Sequence, residues 1–170
     1  MSSEFPGPEC QDHTDSALFG LCDDPHPSGR RAYAYTKEEH RWIAVVENPH
    51  RFAVTFTAID NCADIRRADG KMSKRCDGML TYAVTVIFVE LKQRRDKGSE
   101  WIKTAELQLK QTINYFEGGY LLNEYPKKKA CIANSEQPRF RSSQMERMEK
   151  FYRETGYVLR IEGTIRLVEG

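Results

Sequence analysis

The chain has 170 residues, a single-domain length, and its 39% hydrophobic and 30% charged residues are typical of a globular protein. Its 26 basic and 25 acidic residues nearly cancel, which excludes the strong overall field of a histone-like or polybasic protein. The sequence contains no run of 18 apolar residues, the length needed to span a membrane, and Met1–Pro8 lacks the features of a secretory signal. We therefore expect a cytoplasmic protein whose five scattered cysteines are free thiols.

The first 35 residues are predicted to form an N-terminal arm, and residues 36–170 a single domain. Residues 1–31 are rich in Pro, Gly, Ser and Asp without long periodicity, which predicts loop structure. The short apolar island Ala17–Leu21 is expected to pack this arm onto the body.

The domain is predicted to begin with a helix followed by an antiparallel meander. Thr36 and Glu39 have the spacing of a capping box, and Asn48-Pro49 would end that helix. Residues 52–59 are dense in Val, Thr and Phe, which predicts a strand. Residues 75–82 and 84–93 are predicted to form two further strands. The last is almost continuously apolar, as expected of a central strand covered on both faces.

The second half alternates between helix and strand. An amphipathic helix is predicted from Ser99 to Gly118-Gly119, followed by a short buried strand over Ala130–Ala133. A further helix from Ser143 and a final strand over Tyr157–Val168 complete the chain. Strand–helix–strand order favours a parallel crossover, so the fold class is α/β with a mixed sheet flanked by helices.

Three ionisable residues stand out at the end of the predicted central strand and its neighbour. Glu90 and Lys92 share one face of the strand, because side chains alternate, while Leu91 points to the other. Buried charges are costly unless they pair or bind a metal. Asp77 and Glu90, with the Leu91 carbonyl, could hold Mg²⁺ through hard oxygen ligands. An ordinary cross-strand ion pair between Asp77 and Lys92 is the alternative.

These residues resemble the motif of the PD-(D/E)XK nuclease superfamily, which has a restriction-endonuclease-like fold. Asp77 matches the first acid and Glu90-Leu91-Lys92 the triplet, although Cys76 replaces a proline at a position that varies. The helix, meander, helix and strand over residues 36–133 match the order of the family's core. Gln108 matches a helix glutamine that orients the site in many members, with Gln111 as a weaker candidate. Within the superfamily, the likeness is to small bacterial members.

The resemblance implies a metal-dependent nuclease that hydrolyses phosphodiester bonds of DNA, or less readily of RNA. Asp77, Glu90 and the Leu91 carbonyl would bind Mg²⁺, which Mn²⁺ can replace, and Lys92 would position the attacking water. A homodimer or a partner protein would supply specificity. The competing hypothesis is a catalytically silent module that binds nucleic acid or protein on the same fold.

Four soft ligands in the arm are compatible with a zinc site. Cys10 and His13, with Cys22 and His26, have spacings that allow tetrahedral coordination. A zinc-containing interaction protein is therefore a third hypothesis, and unrelated residues in an irregular arm are its alternative.

Further acids could extend the site. Asp60 and Asp64 flank the end of the first predicted strand and could reach a second metal, although such residues more often cap turns. Glu47, near the end of the first predicted helix, could also approach the site. Solvated surface positions are the alternative for all three.

Basic residues near both ends of the predicted strands could form a phosphate track. The candidates for nucleic-acid binding are Lys74, Arg75, Arg94, Arg95, Lys127 and Lys128. Trp101 and Phe140 would offer stacking surfaces beside them. The alternative is a set of solvated loops.

Overall fold

The computed structural model describes residues 6–25, 28–62, 75–93, 100–118, 123–136 and 144–169. The strands are β1 (Gln11–Thr14), β2 (Leu18–Cys22), β3 (Tyr33–Tyr35), β4 (Ala44–Glu47), β5 (Val54–Ala58), β6 (Gly78–Tyr82), β7 (Thr85–Lys92), β8 (Lys127–Asn134), β9 (Val158–Ile161) and β10 (Thr164–Arg166). The α-helices are α1 (Glu100–Glu117) and α2 (Met145–Thr155). No helix among these residues is long and apolar enough to cross a membrane.

A six-stranded mixed sheet, which we call the large sheet, has the order β1-β5-β6-β7-β8-β9. Its first four strands are antiparallel neighbours, whereas β8 and β9 continue it in parallel. Helix α1 lies between β7 and β8 in the chain and makes the crossover that parallel pairing requires. The predicted meander, the parallel crossover and the α/β class with a mixed sheet are confirmed.

A four-stranded small sheet, with the order β10-β4-β2-β3, covers one face of the large sheet. The two α-helices cover the opposite face. Strand β7 lies between these layers, so Val86 and Phe88 pack towards the helices while Ile87 and Val89 pack towards the small sheet. Burial on both faces explains the unbroken apolar run of β7.

Of the three predicted helices, the second and the third form, as α1 and α2. The apolar face of α1 is buried as its 3.6-residue period predicts; its buried members are Trp101, Ile102, Ala105, Leu109, Thr112, Ile113 and Phe116. Helix α2 ends at Gly156, whose φ of 80° is the left-handed conformation that favours glycine at this position. The predicted start of α2 at Ser143 lies outside the described residues.

The helix predicted from Thr36 is wrong. Glu39–Arg41 form one 3-10 turn, and Ala44–Glu47 form β4 in the small sheet. Ala44 and Val46 are buried on one side of this strand, where they pack in the core between the sheets. Pairing with β2 and β10 satisfies the backbone and overrides the local helix signal.

The loop predicted over residues 1–31 is wrong where β1 and β2 form. Strand β1 is polar and lies at the edge of the large sheet, so it lacks the apolar alternation that announces a strand. Strand β2 contains Phe19 and Leu21, which are fully buried, and this confirms the packing role of the island Ala17–Leu21. The predicted final strand is also divided, into β9 and β10 of different sheets.

A disulfide joins Cys10 to Cys62, with the two Cα atoms 6.0 Å apart. Antiparallel pairing of Gln11 with Thr57 brings these distant cysteines together. The prediction of free thiols is therefore wrong for this pair. It is confirmed for the remaining, buried cysteines, which are Cys22, Cys76 and Cys131. Disulfides persist in oxidising compartments and are rare in the cytosol, so this bond gives no support to the cytoplasmic location, which stays a prediction.

Candidate active site

The predicted site residues converge where β6 and β7 meet α1. Asp77 directly precedes β6, and Glu90 and Lys92 lie at the carboxyl end of β7. Strand alternation directs Glu90 and Lys92 towards the helix layer, while Leu91 packs with the core under the small sheet. Gln108 lies on α1 and faces Lys92.

The Asp77 and Glu90 carboxylates each accept a hydrogen bond from a backbone N–H of the other's chain segment. The Leu91 N–H donates to Asp77 Oδ2 at 2.7 Å, and the Asp77 N–H donates to Glu90 Oε1 at 3.2 Å. Both residues are buried, with 8% of Asp77 and 2% of Glu90 exposed. Two carboxylates are thus fixed side by side at the carboxyl end of a central strand.

Lys92 and Gln108 complete the site from the solvent side. Lys92 Nζ donates to Gln108 Oε1 at 3.2 Å and lies 3.2 Å from Glu90 Oε2. Gln108 Nε2 in turn donates to the Arg75 carbonyl at 3.2 Å. The lysine therefore pairs with Glu90 of its own strand, not with Asp77 as the ion-pair alternative supposed, and the predicted approach of Gln108 is observed.

The electrostatics of the site reflect buried negative charge. Burial raises the pKa of Glu90 to about 7, although the neighbouring Lys92 ammonium opposes this change. Burial also raises the pKa of Asp77 well above its usual range, and the charge of Glu90 adds to the effect. A cation placed between these carboxylates would stabilise their charged forms.

Asp23 is the site residue that the sequence did not reveal. It follows β2, and its carboxyl lies close enough to Asp77 for each group to affect the pKa of the other. Burial raises the pKa of Asp23 to about 6, and the charges of Asp60 and Asp24 add to this rise. The only signal in the sequence was an Asp-Asp pair directly after an apolar segment, and nothing local connects that pair to Asp77.

Asp60 also belongs to the surroundings of the site. Its N–H donates to the Cys76 carbonyl at 3.2 Å, and its carboxylate lies 3.2 Å from an Arg75 nitrogen. The suggestion that Asp60 extends the acidic site is consistent with this position, whereas Asp64 lies outside the described residues. Glu47 is different, because it pairs with Arg166 at 3.3 Å on the small sheet and not with the site.

The donor set fits a hard divalent cation. Within the described part of the chain, no group of three His, Cys, Asp or Glu side chains is arranged to hold a metal ion. Mg²⁺ does not need one, because it binds through one or two carboxylates and keeps several waters. The Leu91 N–H points towards Asp77, and the N–H and C=O of one strand residue point to the same side. The Leu91 carbonyl is therefore directed towards the carboxylates as well.

The described residues do not assemble the predicted four-ligand zinc site. The Cys10 sulfur is bonded to Cys62 and cannot serve as a thiolate ligand. His13 Nδ1 lies 3.1 Å from Thr55 Oγ1, and Cys22 is a buried thiol whose pKa is raised by burial to about 11. His26 lies outside the described residues.

The predicted basic track is not assembled at the site by the described residues. Arg75 lies beside the site, but Lys127 pairs with Thr85 at the opposite end of β7, roughly 17 Å along the strand from Glu90. Lys128 lies 2.6 Å from Glu117. Lys74, Arg94, Arg95 and Phe140 lie outside the described residues.

Trp101 is not a stacking surface, which corrects the prediction. Its ring is only 2% exposed and packs in the core between α1 and the large sheet. The amphipathic face of α1 explains this, since Trp101 lies on the same side of the helix as Ala105 and Leu109.

Comparison with known proteins identifies no relative: no family model, curated protein or solved structure matches this chain. Functional conclusions therefore depend on the chemistry of the site itself.

Proposed function

We propose that this protein is a metal-dependent nuclease that hydrolyses phosphodiester bonds of DNA, with a restriction-endonuclease-like core of the PD-(D/E)XK superfamily. The observation that carries the proposal is the buried pair Asp77 and Glu90, from neighbouring strands, with Lys92 at its open side. Burying two acids is costly, and a bound cation together with a lysine offsets that cost.

The arrangement of elements around the site supports the same proposal. The meander β5-β6-β7, the helix α1 and the parallel strand β8 follow one another in the order expected of this core. One feature departs from it, because the described chain has β4 and a 3-10 turn where the first core helix was predicted. The small sheet covers that face of the large sheet instead.

Each site residue has a defined role in this proposal. Asp77, Glu90 and the Leu91 carbonyl would bind Mg²⁺ or Mn²⁺, which when bound lowers the pKa of a coordinated water and offsets charge on the phosphoryl group. Lys92 Nζ would donate a hydrogen bond to a phosphoryl oxygen and orient the attacking water. Gln108 is a positioning residue, since it holds Lys92 Nζ and is itself tied to the Arg75 carbonyl.

Asp23 would be a second positioning residue, which acts through its electrostatic interaction with Asp77. We expect Asp23→Ala to raise the Mg²⁺ concentration needed for half-maximal cleavage roughly tenfold, because residues that orient metal ligands contribute affinity of this size. Asp15→Ala is the matched control, because the Asp15 side chain is 72% exposed and pairs with Arg51 at 3.8 Å. An unchanged Mg²⁺ requirement in Asp23→Ala would remove Asp23 from the site.

The decisive experiment incubates purified full-length protein with supercoiled plasmid and with single-stranded DNA, in Mg²⁺, Mn²⁺ or EDTA. Asp77→Asn, Glu90→Gln and Lys92→Met should each reduce metal-dependent cleavage by about 100-fold or more. Glu100→Gln is the control, because this glutamate is 86% exposed and its carboxylate pairs with Lys103 of the same helix at 3.5 Å.

The outcomes separate the hypotheses. Metal-dependent cleavage that disappears in the three site variants and persists in Glu100→Gln supports the nuclease. Cleavage that persists in the site variants identifies a contaminant and refutes the assignment. If folded protein cleaves no DNA under any of these conditions, the competing hypothesis of a binding module without catalysis is favoured.

A further inference from the structure

Strand β9 forms one edge of the large sheet, and β8 separates it from β7, which carries Glu90 and Lys92. It pairs in parallel with β8 on one side, and no described strand pairs with its outer side. The Glu162 N–H donates inward to the Ile132 carbonyl at 3.0 Å. Because backbone groups alternate sides along a strand, the N–H groups of Leu159 and Ile161 point outward. Such a row of unpaired groups is a template for another strand.

The face of β9 nearer the small sheet is basic. A cleft of about 360 Å³ lies between the edges of the two sheets, and Lys129, Arg160 and Arg166 contribute to its lining. Among the described residues that line it, Glu162 is the sole acid. Arg166 pairs with Glu47 at 3.3 Å, whereas Lys129 and Arg160 make no hydrogen bond or ion pair within the described ranges. Burial raises the pKa of Glu162, and the charges of Arg160 and Lys129 oppose that rise, so both cations lie near this acid. The described lining of the cleft still contains three cations and one acid.

The face of β9 nearer the helices has an apolar groove with charged residues in its lining. The groove, of about 420 Å³, runs between α2 and β9; Met145, Met148 and Tyr152 line it together with the charged Glu149, Arg153 and Arg160. Met145 is 64% exposed and Tyr152 is 55% exposed, which is unusual for large side chains on the same patch. Flexible methionines and a tyrosine form a surface that adapts to apolar side chains.

We propose that the outer edge of β9 binds an extended segment of a partner protein, which adds a seventh strand and has acidic residues alternating with apolar ones. Side chains of an added strand point alternately to the two faces. Its acidic residues would meet Lys129 and Arg160, and its apolar residues would enter the groove beside Met145 and Tyr152. This inference is independent of the proposed nuclease function.

Other occupants fit these features less well. A nucleic acid cannot supply the alternating N–H and C=O groups that pair with Leu159 and Ile161. A second copy of this chain, paired edge to edge through β9, would bring the Arg160 side chains of both copies close together, and like charges repel. An acidic segment complements the charge, the backbone groups and the apolar groove together.

The test uses the full chain and fluorescein-labelled seven-residue peptides, because the natural segment is unidentified. Anisotropy at low ionic strength compares a Glu/Val alternating peptide with a Lys/Val peptide and with a Glu/Pro peptide, which cannot pair as a strand. Of these three peptides, we expect only the Glu/Val peptide to bind measurably. Arg160→Glu should weaken it at least fivefold, whereas Lys37→Glu, an exposed charge elsewhere, should leave it unchanged.

Hydrogen exchange supplies a readout of the binding mode. Addition of a strand should slow exchange of the Leu159 and Ile161 amides and leave those of β1 unchanged. Absence of binding by folded protein would overturn the proposal, as would binding without protection of these amides. Single-stranded DNA that displaces the peptide, or a dimer that forms through β9, would also overturn it, because the edge would then have a different occupant.

Discussion

The ionisation of Glu90 makes the stability of this protein dependent on pH. Its pKa rises from an ordinary 4.5 to about 7 in the folded protein, mainly because burial disfavours the charged carboxylate. The folded chain therefore holds this proton more tightly than the unfolded chain does. The resulting stabilisation is complete below about pH 4.5 and is lost as the pH rises through about 7. Asp77, whose pKa is also raised, acts in the same direction.

The expected loss is about 3 kcal/mol for Glu90, at about 1.4 kcal/mol for each pH unit between its two pKa values. For a domain of this size, that corresponds to a fall in Tm of roughly 6–12 °C between pH 5 and 8. Thermal unfolding in EDTA, followed by circular dichroism, measures it. Glu90→Gln should flatten the dependence because the amide does not titrate, whereas the exposed Glu100→Gln should keep the wild-type slope.

Divalent cations should reverse this loss. At pH 8, above its pKa of about 7, the Glu90 carboxylate is charged in the folded protein. Mg²⁺ at about 100 times its dissociation constant should then restore about 2.7 kcal/mol. Asp77→Asn should abolish that gain. A wild-type Tm that does not fall between pH 5 and 8 in EDTA, or a Glu90→Gln slope equal to the wild-type slope, would refute the reasoning.

Three further predictions concern the disulfide, the site helix and the core. Replacing Cys10 and Cys62 by Ser, which opens a 52-residue loop, should lower the free energy of unfolding by about 4 kcal/mol in urea titrations; an unchanged midpoint would contradict this. Gln108→Leu should reduce the rate of DNA cleavage roughly 10- to 100-fold without loss of fold, and a wild-type rate would end its positioning role. Gly78→Ala would place a Cβ 2.4 Å from Phe56 Cζ, so it should cost about 2 kcal/mol in thermal unfolding. A Tm equal to that of the wild type would contradict this, because it would show that Phe56 can move to accommodate the added Cβ.

The large elements of this fold are predictable because their signals are local. Helix α1 repeats its apolar positions over 18 residues, and β7 is apolar along most of its length. Short strands are different, since β4 and β1 have only four residues each and their pairing partners lie far away in the sequence. Their conformation depends on whether neighbouring strands satisfy the backbone, which no local pattern records.

The candidate site divides in the same way. Asp77, Glu90 and Lys92 lie on adjacent strands of one hairpin, so strand alternation alone predicts that they meet. Gln108 follows from the next helix, whose apolar face sets its orientation towards β7.

The sequence by itself thus determined the hairpin, the crossover helix and the acids and lysine that they carry, because periodicity acts over neighbouring residues. Only the tertiary structure decided that Asp23 reaches Asp77 and that Cys10 bonds to Cys62. Both contacts join segments far apart in the chain, and they form because β1 pairs with β5 and the small sheet packs on the large one. That packing depends on apolar surfaces contributed by the whole chain.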